Sequence, residues 1–379
     1  MIQTVLAHSK YYENDDLRVF PISQKELWEE GYDKNEKIFT GAKWGKYIRA
    51  PRIFFTILRK GKNKLVPLKD IADVRFGIKT GANEFFYLNE KEIKRKKIEK
   101  EFWMHKDEKG EWVPNYVIKT SRECEFLIVK AEDLKYRILM IRKQKKKLKR
   151  TKILQYILAG ERKKFHERPT CASRGEMWYL LPEISAPILS KRFVDVAFGY
   201  FLNPEKFYVG DTFFVINPYK TNHTEKVAAF LNSTLGAFFT EIYGRTLMGE
   251  GVLLIYGPEI VPMPILKPEL LFDGRTKFIQ KFLKGKVNSV FDELGAKNPS
   301  DVLLSKVKPD RRELDKIIMG EILGLTDGEQ LDVYRAVVDL VKSRIEKAKS
   351  IEKKQKFVEG IDMELATRDV IYGLKNKVK

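Results

Sequence analysis

Histidine and cysteine are scarce in this 379-residue chain, with four of the first and two of the second. Cys124 and Cys171 stand far apart with no CxxC pair, which argues against a disulfide framework and a thiolate zinc site and fits a reducing cytoplasm. His8, His105, His166 and His223 form no close pair, so a histidine-based metal centre has no support. Long apolar runs are missing as well. No stretch approaches the roughly 18 apolar residues that span a bilayer, and the opening MIQTVLAHSKYYENDD lacks the charged-then-apolar order of a signal peptide, so membrane insertion is not expected. Negative charge is in short supply too: 52 acidic side chains face 72 basic ones, leaving +20. That excess points to a polyanionic partner such as nucleic acid or an anionic membrane surface. Abundant Lys and Glu beside few Cys fits a thermophile, because ion-pair networks cost less as temperature rises.

With 43% apolar residues, the chain can bury a substantial core, and its length favours two domains over one. Three zones separate by pattern. Residues 1–66 form a lead-in, too small and too polar for a domain, with a strand at LRVFPIS (17–23) and a short amphipathic run from Ile53 to Leu58. Its aromatics Trp28, Tyr32, Phe39, Trp44 and Tyr47 read as anchors that dock the segment onto something larger. Residues 67–268 show short β-rich runs punctuated by Gly and Pro, among them IADVRFGIKT, EFFYL, EFLIVK, MWYLLP, FYVGDTFFVINP and VLLIYG. Inside this zone the stretch from Glu132 to Arg168 reads as a long helical insertion, and TEKVAAFLNSTLGAFFTEIYG as a second helix.

Residues 269–379 are helical. Asp310 with Glu313 and Thr326 with Glu329 have the spacing of reciprocal helix caps, Gly324 has the place of a helix end, and KAKSIEKKQK reads as a solvated, fraying tail. Leu331, Tyr334, Val338, Val341 and Ile345 form an apolar stripe that needs a partner surface. The expected class is α+β: a mixed β-rich domain with a long basic helical insertion, followed by a C-terminal helical domain.

Ten Lys or Arg and no acid lie between Lys135 and Lys152, half of the net excess. On a helix such a run offers a row of cations to DNA phosphates, Lys143, Lys145, Lys146, Lys147 and Arg150 among them; it positions a duplex and carries no sequence information.

The segment VPLKDIADVRFGIKTGANEFFYL (66–88) resembles the opening of the target-recognition domain of TaqI-like N6-adenine DNA methyltransferases, in which a strand with Arg and Gly precedes a Thr-Gly-Ala-Asn turn. RPTCASRGEMWYLLPE (168–183), DTFFVINP with AAFLNSTLGAFF (211–239) and GRTLMGEGVLLIYGPEIVPMPIL (244–266) are similar to that family's later blocks, in the same order. Residues 41–58 and 310–325 resemble segments that flank the domain. The resemblance implies double-stranded DNA as a partner, read by Arg75, Lys79, Thr80, Gly81, Asn83, Arg168, Arg174, Lys191, Arg192 and Arg245. The residues themselves fit that chemistry. Gly81 lets backbone approach a phosphate, Thr80 and Asn83 can bond phosphate or a base edge, and Arg168 or Arg174 can fork onto guanine. Arg75 and Lys79 share a face if β pairing is regular. For Trp178 and Tyr179 burial is the expected fate.

A methyltransferase of this kind also needs an Asn/Asp-Pro-Pro-Tyr/Phe loop and a Gly-rich turn for S-adenosylmethionine. Neither is found: INPYK and LNPEK lack the second Pro, and Asn217 reads as a turn residue. Asp73 with Glu92 and Lys94 only loosely imitates a nuclease metal pair. The expectation is a non-catalytic specificity half working with a methyltransferase catalytic domain or chain, which would hold the S-adenosylmethionine. The alternatives are part of an active methyltransferase or a stand-alone nucleic-acid-binding protein.

Overall fold

The computed structural model describes residues 7–14, 17–33, 37–39, 44–246, 251–271 and 273–359. Two four-stranded sheets occupy the middle of the chain, built from β1 (Ala72–Phe76), β2 (Tyr87–Leu88), β3 (Tyr116–Ile118), β4 (Tyr136–Ile138), β5 (Ile188–Lys191), β6 (Tyr200–Leu202), β7 (Tyr208–Val209) and β8 (Phe213–Pro218). The first sheet has the order β6-β5-β8-β1 and is antiparallel throughout. The second runs β7-β3-β4-β2 and is antiparallel except between β3 and β7. β5 is buried along its whole length and still obeys the two-residue period of a strand. Ile188, with Ile216 of β8, faces the largest apolar core; Leu189, with Val215, faces a separate one between the sheets. The sheets meet just after β1 and β7, where Ile78 bridges Gly210. A Cβ on Gly77 would lie 2.1 Å from the Gly210 carbonyl oxygen, so only glycine permits this crossing.

Around the sheets lie α1 (Arg52–Lys60), α2 (Lys152–Arg162), α3 (Thr224–Leu231), α4 (Thr234–Tyr243) and α5 (Asp327–Glu359). The amphipathic run expected at Ile53–Leu58 is α1, which buries Ile53, Phe54 and Ile57. The single helix expected from Thr224 is two. Asn232 Nδ2 donates to the Tyr200 carbonyl at 2.8 Å and Ser233 caps α4 by accepting from Gly236 N at 3.2 Å, so polar side chains draw the backbone out of the helix there. Asn217 lies within strand β8, paired with Asp73, and not in a turn.

In the C-terminal helical region, Thr326 and Glu329 form the expected reciprocal cap, with Thr326 N donating to Glu329 Oε2 at 2.7 Å and Glu329 N to Thr326 Oγ1 at 3.2 Å. The Asp310–Glu313 cap does not form, because Pro309 takes the first helical position and Lys308 the cap position before it. Gly324, at φ +73°, follows the wide-turned segment Lys316–Ile322 and ends it. The apolar stripe of α5 finds its partner inside the chain. Tyr334, Val338 and Val341 are fully buried in the same core as α1 and α4, with Leu331 and Ile345 at its margin. The helix of the KAKSIEKKQK segment continues to Glu359.

The long basic helix is the main departure from expectation. Tyr136–Ile138 is a strand, Lys145–Leu148 a single tight turn, and α-helix begins only at Lys152, capped by Thr151. The reason lies in four consecutive buried residues, Ile138, Leu139, Met140 and Ile141, which no single helix face can hide. Their amides pair sideways instead: Ile138 N to Asn115 O at 2.8 Å, Leu139 N to Phe86 O at 3.0 Å and Met140 N to Phe102 O at 2.8 Å. Arg150, at φ +66°, then turns the chain into α2.

In the lead-in, Tyr12–Glu13 pairs with Arg18–Val19, and Gln24–Gly31 forms a helix. The docking expected of its aromatics is not seen for Trp28, Phe39 and Trp44, which remain exposed; Trp28 and Phe39 stack on each other at 4.6 Å. Residues 34–36 and 40–43 lie outside the described residues. No helix among the described residues is long and apolar enough to cross a membrane.

Candidate nucleic-acid interface

β1 is an edge strand, and a group of arginines and aromatic rings gathers at its C-terminal end. Phe76 packs edge-on against Phe214 of β8 at 4.9 Å, and Phe214 against Tyr256 at 6.1 Å. Arg192, which follows β5, lies among these rings: its guanidinium is 5.5 Å from Phe76, 4.9 Å from Phe193 and 4.8 Å from Tyr256, and its Nη2 donates to the Tyr256 hydroxyl at 2.6 Å. Its Nε is buried with no hydrogen-bond partner among the described residues. Lys79 Nζ sits 4.4 Å over Phe76 from the other segment. Arg245 belongs to a three-stranded ribbon of Arg245–Thr246, Leu253–Leu254 and Phe193–Val194, and pairs through Nε with the buried Glu259 at 2.5 Å. Arg75 is exposed and pairs with Asp73 at 2.6 Å.

Three of the expected residues, Lys79, Arg192 and Arg245, thus gather around Phe76, Phe193 and Tyr256, whereas Arg75, paired across the ladder with Val215, points from the opposite side of the sheet. Cation–π contact holds a guanidinium in place while its remaining N–H groups stay available, which suits bidentate binding of phosphate or a guanine edge. Phe193 and Tyr256 were not singled out by sequence reasoning. The adjacent pair Arg192-Phe193 was the available signal.

The Thr80–Asn83 turn is built for internal bracing. Thr80 is buried; its hydroxyl donates to Asn83 Oδ1 and accepts from Ala82 N at 3.2 Å. Arg174 donates to the carbonyls of Thr80 at 2.6 Å, Lys79 at 3.2 Å and Trp178 at 2.7 Å. Burial holds its guanidinium pKa below the ordinary arginine value. Gly81, at φ +77°, has no room for a side chain, since a Cβ would come within 2.9 Å of Cys171 Sγ. Arg168 pairs with Glu84 at 2.6 Å and keeps its side chain partly exposed. Thr80 and Arg174 are therefore committed to the fold, a correction to their reading as DNA contacts, while Asn83 stays exposed. Lys191 is a further correction. It is buried, its Nζ donates to the Ala197 carbonyl and pairs with Asp195 at 3.6 Å, and burial lowers its pKa. Trp178 and Tyr179 are core residues, as expected.

The basic run divides. Arg142 pairs with Glu183, Lys143 with Glu101 at 2.7 Å, and Lys145 with Glu161, while Arg137 is buried 3.9 Å from the Tyr116 ring. Lys146, Lys147 and Arg150 are exposed and make no ion pair among the described residues. The loose nuclease pattern does not assemble, because Asp73 binds Arg75 while Glu92 caps the helix that begins after Asn89. Among the described residues no group of His, Cys, Asp and Glu could hold a metal ion.

Comparison with known proteins places this geometry. No curated protein sequence matches the chain. The fold is similar to that of the type IIG restriction endonuclease BpuSI, at 11% identity and a TM-score of 0.53, over 86% of this chain and 38% of that one. This chain therefore corresponds to well under half the length of that enzyme. Residues 41–296 match the model for the C-terminal domain of the Type II methyltransferase M.Eco57I, a span that holds both sheets and the whole arginine–aromatic face. The chain belongs to that C-terminal domain family.

Proposed function

We propose that this chain reads a double-stranded DNA sequence for a restriction-modification system and performs no methyl transfer itself. The observation that carries the reading is the face on which Arg192 and Arg245 are fixed by aromatic rings and a buried acid beside the exposed Lys79. Fixed guanidinium forks specify bases, and the free cations at Lys146, Lys147 and Arg150 track phosphates. Residues 67–268 form the reading unit, in the manner of TaqI-like target-recognition domains, and residues 269–379 share its largest core and brace it. Family membership and the 38% coverage of a larger endonuclease support a catalytic methyltransferase domain or chain as partner, with S-adenosylmethionine bound there.

The test has two parts. Selection from a random duplex pool is expected to return one enriched motif, and labelled S-adenosylmethionine is expected to transfer no methyl group to DNA in the presence of this chain alone. A pool that stays random after selection overturns the recognition claim; turnover overturns the non-catalytic one.

A further inference from the structure

A cavity of about 390 Å³ opens beside the basic run, separate from the Arg192 face. One wall is the hairpin Met104–Lys106 and Trp112–Pro114; Phe102, Met140 and Tyr208 supply flat apolar surface, and Arg142 and Lys143 stand at its edge. Trp112 is 39% exposed, so part of its indole is open to solvent. Lys100, which does not line the cavity, lies 5.0 Å from its ring, and Lys106, which does, lies 5.8 Å away. The indole is thus an electron-rich platform held in a positive surround. His105 packs edge-on to Tyr208 at 6.5 Å, and its Nδ1 is held 2.9 Å from Asn115 Oδ1, which leaves Nε2 to meet a polar edge.

We propose that this cavity binds a single nucleotide, its base laid on Trp112 and its phosphate held by Arg142 and Lys143. Aromatic stacking suits any base, because each has a π face. The two cations are paired with Glu183 and Glu101 in pairs whose side chains are about half exposed, and such pairs open at little cost when a phosphate offers a better partner. The cavity has the size of a small-ligand site. The nucleotide has two sources: a free mononucleotide, or one extruded from a DNA strand that runs along Lys146, Lys147 and Arg150. This site is independent of duplex reading by Arg192.

The experiment uses 2-aminopurine, whose fluorescence is quenched by stacking, as the deoxyribonucleoside monophosphate and as a single bulged nucleotide in a duplex. Saturable quenching of either probe is expected, weakened about tenfold or more in Trp112→Ala and retained in Trp112→Phe. Arg142→Ala is expected to weaken the monophosphate and leave the nucleoside unchanged. Quenching by the free probe identifies a mononucleotide site; quenching by the bulge alone identifies an extruded base. Absence of quenching by both, or equal quenching by wild type and Trp112→Ala, overturns the proposal. Ordinary duplex binding, measured on the two Trp112 variants, is expected to be unchanged, so failure here and failure of the Arg192 reading are told apart.

Discussion

The molecule carries two basic regions of opposite construction. Around Arg192 the cations are few and mostly arginine, and each is seated: Arg192 among three rings, Arg245 on a buried acid, Lys79 over Phe76. Between Arg142 and Lys152 they are many and mostly lysine, and they are either paired with acids at or near the surface or open to solvent. A seated guanidinium loses little freedom when it binds, and it presents a planar fork; a mobile ammonium acts as a point charge. Local charge density in the sequence therefore marks where a polyanion is attracted, and the tertiary seating of arginine marks where it can be discriminated.

Three sets of substitutions put that contrast to the test. The largest effect is expected from Arg174→Ala, which strips partners from three backbone carbonyls and should lower unfolding free energy by about 2–3 kcal/mol, read as a shifted urea midpoint. Wild-type stability in that variant would show that Arg174 is not the brace described here. Arg192→Ala is expected to cost less than about 1 kcal/mol of stability but about tenfold to a hundredfold in affinity for the selected duplex, with little change on random DNA. Equal losses on both would reduce this face to simple charge. The smallest effect belongs to the combined change of Lys146, Lys147 and Arg150 to Ala. All duplexes should weaken alike at physiological salt, and the plot of log affinity against log salt should flatten by about 0.9 for each phosphate that the variant no longer neutralises. A change of sequence preference in that triple variant would invert the comparison.

Much of the C-terminal region was legible because its signals are local. The Thr326–Glu329 cap needs only a hydroxyl and a carboxylate three residues apart, and the stripe on α5 needs only helical spacing. The failed cap at Asp310 shows the limit of such signals, since the proline one position earlier claimed the helix start. The basic run misled for a related reason. Its charges suggest a solvated helix, yet the apolar residues immediately before them are pulled into the core between β2, β3 and Phe102, and the chain must be extended to reach those partners. The motif Thr80-Gly81-Ala82-Asn83 was recognised by its residues, but its role as a brace depends on Arg174 and Cys171, ninety positions away.

The charge excess, the α+β class and the helix-forming apolar stripe are all written in the order of its residues. Which cations are free is not; tertiary packing settled that. Burial took Lys191 and Thr80 out of reach, three backbone carbonyls engaged Arg174, ion pairs engaged Arg142, Lys143 and Lys145, and convergence of β1, the turn after β5 and the Arg245 ribbon built a face that no local pattern announces. A side chain's charge is a property of the residue, whereas its solvation and its partners are set by segments far along the chain.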